Sequence, residues 1–245
     1  MNQKYNNDPL LEDKHEVVKG LIWKYGTRVL FELTLSCDSY CPHCCRIRKV
    51  GAGKLYYLSR QEIDLVIDYI ATHTDINEVI ISGGDPLIVP DYLEYVLRKL
   101  NDLKNVTIIR IHTKAYWLAK DNWLGLIKKQ RQPIYICIHF NKADEIDEKA
   151  LKKLRTAGAI LLSQSVFIKG LNDDVEILAK LFTKLLENGV KPYYIYHCDD
   201  VKGLEKFQIS IEKETEILQE VRKKISGIAL PLHVVDTATE KIIVF

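Results

Sequence analysis

The chain has 245 residues, 47% of them hydrophobic and 28% charged, enough for one large α/β domain with a substantial core. A net charge of +2 gives no bulk electrostatic case for nucleic acid or a membrane surface, and no apolar run is long enough to span a bilayer. The polar N-terminus lacks an apolar signal region, so the six cysteines point to a reducing cytoplasm rather than to a disulfide framework.

Residues 1–20 read as a polar arm and residues 21–245 as a single domain without linker or repeat. A strand is expected over 29–35. Ser59 and Glu62 form a capping box opening a helix to about residue 72. A short strand over 78–82 precedes a helix over 90–103. The next strand, 106–112, leads to a helix over 120–129, and a strand over 134–139 leads to a helix over 147–156. A strand over 160–167 is followed by a helix over 173–187 that closes at Asn188-Gly189. The last unit is a strand over 193–197 with a helix over 211–225. Extended pieces over 232–235 and 242–245 finish the chain. Six strand–helix units in a row imply parallel βαβ connections. Six fall short of the eight of a closed barrel, so the expected fold is a partial, splayed (β/α)6 TIM-like barrel.

Polar motifs gather where such strands end, which reads as an active-site rim. Cys37, Cys41 and Cys44 follow the first strand in a C-x3-C-x2-C spacing. Three such thiolates can ligate three irons of a [4Fe–4S] cluster and leave the fourth iron open. A zinc site is the alternative, although it normally pairs two C-x2-C units or adds histidines. Here Cys41 and Cys44 form one C-x2-C unit, with His43 and Cys45 close by. Gly83-Gly84-Asp85-Pro86 follows the second strand, where glycines permit close backbone approach to a ligand or simply a tight turn. His112, His139 and Gln164 lie at or near later strand ends, and His197-Cys198-Asp199 ends the sixth. Cys137 reads as core, and His15, His73 and His233 as surface or packing residues.

The cysteine loop and the Gly83-Gly84-Asp85 segment resemble the signatures of the radical S-adenosylmethionine superfamily. More specifically, the sequence resembles the lysine 2,3-aminomutase family. The resemblance is carried by Lys24-Tyr-Gly-Thr-Arg28, the cysteine loop with Arg46, Gly83-Gly-Asp-Pro-Leu87, His139-Phe-Asn141 and Gln164-Ser-Val166. It continues through Gly170-Leu-Asn-Asp173, Lys191-Pro-Tyr-Tyr-Ile-Tyr-His-Cys-Asp199, Gly203-Leu-Glu-Lys-Phe207 and Val234-Val-Asp236. The resemblance implies a radical SAM core holding a [4Fe–4S] cluster on Cys37, Cys41 and Cys44, S-adenosylmethionine and pyridoxal phosphate. It implies an electron donor such as flavodoxin or ferredoxin, and a small-molecule amino acid whose amino group moves from the α to the β carbon. Gly83, Gly84 and Asp85 match the motif that binds the methionine amino group, and His139 and Gln164 match residues lining the cofactors. Arg46 matches the arginine that pairs with the substrate carboxylate, a role suited to a guanidinium fork. Asp199 and Asp236 match the aspartates that hold the remote amino group, and Arg28 with Lys24 the cations that hold the pyridoxal phosphate.

One part of the pattern differs. The family lysine that forms the Schiff base with pyridoxal phosphate lies in a Gly-Gly-Gly-Gly-Lys segment, seven residues beyond the final aspartate. Here the segment is Asp236-Thr-Ala-Thr-Glu-Lys241, without glycines and two residues shorter. The chain is expected to be a compact member, without the C-terminal extension others use for assembly. Two readings therefore stand side by side. Either Lys241 serves in a 2,3-aminomutase, or Lys241 is an exposed hairpin residue and the chain does another hydrogen abstraction without pyridoxal phosphate. Epimerisation of lysine or a relative is the simplest such reaction. It needs a hydrogen-atom donor, for which Cys45 beside Arg46 and Cys198 beside Asp199 are the candidate thiols. A non-catalytic iron–sulfur or zinc protein is the reading from another class.

Overall fold

A parallel strand covered on both faces normally reads as an unbroken apolar run. These strands alternate instead. In the strand Ile108–Thr113, Ile109 and Ile111 are fully buried while Arg110 and His112 on the other face are only partly so. The same alternation puts Glu32, Ser82, Cys137, His139, Gln164, Tyr194 and Tyr196 on one face of their strands. The apolar face packs under helices, and the polar face is left to line an interior.

The computed structural model describes residues 5–50, 56–119 and 121–245. One sheet of ten strands runs in chain order: β1 (Glu16–Val18), β2 (Leu21–Tyr25), β3 (Arg28–Thr34), β4 (Glu78–Gly83), β5 (Ile108–Thr113), β6 (Ile134–His139), β7 (Ile160–Val166), β8 (Lys191–Tyr196), β9 (Leu232–Asp236) and β10 (Lys241–Ile243). Pairing is parallel from β3 to β9 and antiparallel at β1–β2, β2–β3 and β9–β10. The parallel strands are joined by α1 (Arg60–Thr72), α2 (Pro90–Asp102), α3 (Asp121–Lys129), α4 (Glu148–Thr156), α5 (Val175–Glu187) and α6 (Ile211–Arg222). Six βα units in a sheet whose order ends at β1 and β10 make a partial (β/α)6 barrel, as the sequence implies.

Local signals hold where they rest on caps. Ser59 accepts from the Glu62 amide, and Glu62 reaches back to the Ser59 amide, so α1 starts on its capping box. Asp174 caps α5, which closes at Asn188 before Gly189 at φ +70°. Lys120, the expected start of the third helix, lies outside the described residues. The arm is more ordered than its composition implies: its residues 16–18 form β1, which pairs antiparallel with β2 beside β3. Asn6 also bridges to Val201, tying the arm to the loop after β8.

Behind that loop, Glu214 of α6 is fully buried between two imidazoles. His197 Nδ1 lies 2.9 Å from Glu214 Oε1, and His233 Nε2 lies 2.8 Å from Oε2. A carboxylate without water needs such partners. His233 is thus a packing residue, as expected, and the triad fixes α6 against the ends of β8 and β9.

Candidate active site

The site begins where β3 and β4 end. Gly84 N donates to Thr34 O at 2.5 Å, and Asp85 N to Ser36 O at 2.9 Å. A Cβ added at Gly83 would collide with the Thr34 carbonyl, and one at Gly84 with the Ser36 carbonyl. Gly83 also has φ +115°. The glycines are therefore required by the chain entering the cysteine loop, whatever ligand lies above. Asp85 is almost wholly buried and accepts from Thr113 Oγ1 and from the amides of Leu87, Lys114 and Ala115. It staples the loop after β4 to the loop after β5.

Cys37, Cys41 and Cys44 line one wall of a cavity of about 310 Å³, half-buried and with free thiols. Their loop turns through Tyr40, a non-glycine residue at φ +40°, and closes with Cys44 N donating to Cys41 O at 3.1 Å. Among the described residues, no three Cys, His, Asp or Glu side chains converge on one ion position.

Arg46 continues the same wall. Its Nε lies 3.1 and 2.9 Å from the two Glu12 carboxylate oxygens, and Nη2 lies 2.6 Å from Oε1. Glu32 Oε1 is 3.3 Å from Nε, and Lys49 Nζ is 2.8 Å from Glu32 Oε2. Burial works against the Glu12 charge, but Arg46, Lys49 and Arg48 outweigh it and hold the carboxyl down to about 2.

Asp199, Asp236 and Lys241 line the cavity as well. Lys241 opens β10, so it does sit in a hairpin. It is not exposed, however: its ammonium pairs with Asp236 and lies 4.4 Å from the Tyr196 ring centre and 5.2 Å from that of Tyr194. Burial lowers its pKa despite the pull of Asp236. Asp199 has no such partner in contact among the described residues. Burial, reinforced by the Asp236 charge, raises its pKa to about 7 against the opposing pull of Lys241, His197 and Arg46. Lys24 donates to Thr237 O at 2.6 Å, and both Lys24 and Arg28 reach the cavity beside Tyr25.

His112 and His139 complete the wall. Burial lowers both pKa values, that of His139 to about 3, so both rings are neutral. His112 Nε2 and His139 Nδ1 are buried without a hydrogen-bond partner among the described residues. Both residues line the cavity, and a buried polar atom without a partner is what a bound polar ligand would relieve. Gln164 Nε2 reaches Tyr196 OH at 3.3 Å. The two candidate thiols part company. Cys45 lines the cavity, whereas Cys198 is not among the lining residues and is buried with Val201 and Leu204 in a cluster against which Cys45 itself packs. Cys137, read as core, is buried but lies on the cavity face of β6.

Several cavity residues escaped the sequence reading. Arg110, paired with Glu78, sits on the inner face of β5, and a strict two-residue alternation along that strand marks it. Glu12 carries no comparable signal, because only the folded arm brings it to Arg46.

The fold and the cavity define a class before any particular family: a partial barrel with three cysteines after its first parallel strand. Residues 31–182 match the family described as the Radical SAM superfamily. The chain is 39% identical to L-lysine 2,3-aminomutase of Methanococcus maripaludis over 94% of this chain and 54% of that one. It is 33% identical to L-lysine 2,3-aminomutase of Buchnera aphidicola over 94% of this chain and 69% of the relative. Among solved structures, Streptococcus suis SuiB bound to S-adenosylmethionine shares the fold, with TM-score 0.64, 16% identity, and coverage of 91% of this chain and 52% of that one. This chain belongs to the lysine 2,3-aminomutase family of the radical SAM superfamily. It spans about half the length of several of the curated relatives it matches.

Proposed function

We propose that this chain binds a [4Fe–4S] cluster and S-adenosylmethionine and moves an amino group between the α and β carbons of a diamino acid such as L-lysine. One observation carries the reading: Arg46 and Asp199 face the same cavity as Cys37, Cys41 and Cys44. A fork for a carboxylate and an acceptor for an ammonium thus share the space beside the three thiols. The cluster with S-adenosylmethionine would supply a carbon radical that abstracts hydrogen from the bound amino acid.

In this reading Arg46 orients the substrate by its carboxylate, and Asp199 accepts the remote ammonium. Neutral His112 and His139 hold polar groups without adding charge. Tyr194 and Tyr196 exclude water from the far wall. The residues present also fit pyridoxal phosphate: Lys241 is an amine with a lowered pKa, and Lys24 and Arg28 are cations at the same cavity. When bound, that cofactor would supply the conjugated path for nitrogen between adjacent carbons.

Cys45 favours a second reading. It lines the cavity, and burial raises its pKa above the ordinary thiol value, which favours the protonated thiol. A protonated thiol can give a hydrogen atom to an α-carbon radical from the opposite face, which would invert that centre without pyridoxal phosphate and leave a thiyl radical that an external electron donor and a proton would restore to the thiol.

Chiral product analysis separates the two. The protein, reconstituted anaerobically with iron and sulfide, is given dithionite, S-adenosylmethionine and L-lysine, with and without pyridoxal phosphate. The expected product is β-lysine, formed only with pyridoxal phosphate. D-Lysine formed without it, and lost in Cys45→Ala, would replace the aminomutase reading with the epimerase.

A further inference from the structure

We infer that Glu12 is the positioning residue for the substrate carboxylate: it grips one edge of the Arg46 guanidinium and presents the other edge to the cavity. The inference rests on the reading that the cavity takes an amino acid.

A guanidinium offers two edges that can each meet a carboxylate with paired hydrogen bonds, Nε–Nη2 and Nη1–Nη2. Glu12 holds the first edge through both of its oxygens, at 2.6–3.1 Å. On the second edge, Nη1 reaches only Ser82 Oγ, at 3.4 Å, among the described residues. That edge is the one left for a ligand. Glu12, Glu32, Arg46 and Lys49 are ion-paired together, two charges of each sign. The group therefore offers a ligand an aimed fork rather than a surplus of positive charge, and aim is what Glu12 supplies.

The arm is built to deliver this carboxylate. Asp8 Oδ1 accepts from Glu12 N and Asp8 Oδ2 from Asp13 N, both at 3.0 Å, which closes a turn over 8–13. Leu11 inside that turn sits at φ +54°, a conformation a branched side chain adopts only under constraint. Arg48 pins the turn from outside, at 2.6 Å from Asp13 and 3.3 Å from Asp8. The strained turn ends with Glu12 only 7% exposed in the cavity wall. Farther up the arm, Asn6 N donates to Asp200 O at 3.2 Å, and Lys202 N donates to Asn6 O at 2.9 Å. One segment thus touches the loop of Asp199 and the guanidinium of Arg46, the two groups proposed to hold opposite ends of the substrate.

The test reads the guanidinium directly. Reconstituted protein is treated with phenylglyoxal, and modification of Arg46 is mapped by peptide mass spectrometry. Protection is titrated with L-lysine, L-ornithine and L-glutamate and with the α-amide of each. In the parent protein, at least one of the acids should slow modification about fivefold or more, and its amide should do so only at a much higher concentration. In Glu12→Gln the protection midpoint for that acid should rise about tenfold, while weak binding of the amide is unchanged. Glu12→Asp should fall between them. An unchanged midpoint in Glu12→Gln overturns the inference, as does an equal shift for acid and amide, which marks a merely structural role. If Glu12→Gln does not fold, Glu12→Asp decides by the same acid-against-amide comparison. Absence of protection by any acid in the parent protein also overturns it. Protection without product formation from the same acid would leave the role of Glu12 intact and remove the proposed reaction.

Discussion

Asp199→Asn is expected to lower kcat/KM for L-lysine, the proposed substrate, by about two orders of magnitude and to flatten its dependence on pH. The expectation follows from where the charges stand. Asp236 is already paired with Lys241, so Asp199 is the carboxylate with capacity to spare for a substrate ammonium. Truncating one partner of a buried charge pair costs about 3 kcal/mol, or roughly 150-fold. The sign of the pH effect comes from the raised pKa. With a value of about 7, Asp199 in the free protein is mostly protonated at pH 6 and mostly ionised at pH 8. Only the ionised form attracts an ammonium. The value of kcat/KM for lysine should therefore fall roughly tenfold from pH 8 to pH 6 in the parent protein. The groups that set this pKa are Asp236, Lys241, His197 and Arg46, so Asp199→Asn is the control that isolates Asp199 from them. A variant that keeps the parent slope would assign the titration elsewhere.

Gly84→Ala has the largest expected effect on the fold. The new methyl would meet the Ser36 carbonyl, and a backbone atom cannot swing aside as a side chain can. Overpacking of this kind costs about 3 kcal/mol. For a domain of this size that lowers the thermal midpoint by roughly 6–12 °C. Because Ser36 adjoins Cys37, iron retained per chain after reconstitution should fall as well. Gly125→Ala in α3 is the matched control: a Cβ there meets nothing within 4 Å. It should be neutral or stabilise by about 0.5–1 kcal/mol, since alanine favours a helix. Equal midpoints for the two variants would refute the close approach between the β4 exit and the cysteine loop.

The repeating βα pattern was legible because each parallel strand buries an apolar face and each helix carries its own cap. Ser59 with Glu62, and Asn188 before Gly189, mark ends that the fold keeps. The site was legible where chemistry is packed into short spacings, as at Cys37, Cys41, Cys44 and Arg46. It was not legible where distant segments meet. Five-residue β2 lies between Gly20 and Gly26 and becomes a strand by pairing with β1 and β3. Glu12 reaches Arg46 across 34 positions, with no local pattern to announce it. Lys241 was ambiguous for a related reason. A hairpin lysine is ordinarily solvated, and only the inner-face tyrosines of β8 and the carboxylate of Asp236 draw this one inward.

The central claim is that the cysteine cavity makes a radical that takes hydrogen from an amino acid held by Arg46 and Asp199. It is tested most directly with L-lysine deuterated along its carbon chain, dithionite and S-adenosylmethionine on the anaerobically reconstituted protein. The account predicts 5′-deoxyadenosine carrying deuterium, formed faster with lysine than without it and reduced at least tenfold in Asp199→Asn. Deuterium-free 5′-deoxyadenosine at a rate indifferent to lysine, ornithine or glutamate would contradict it.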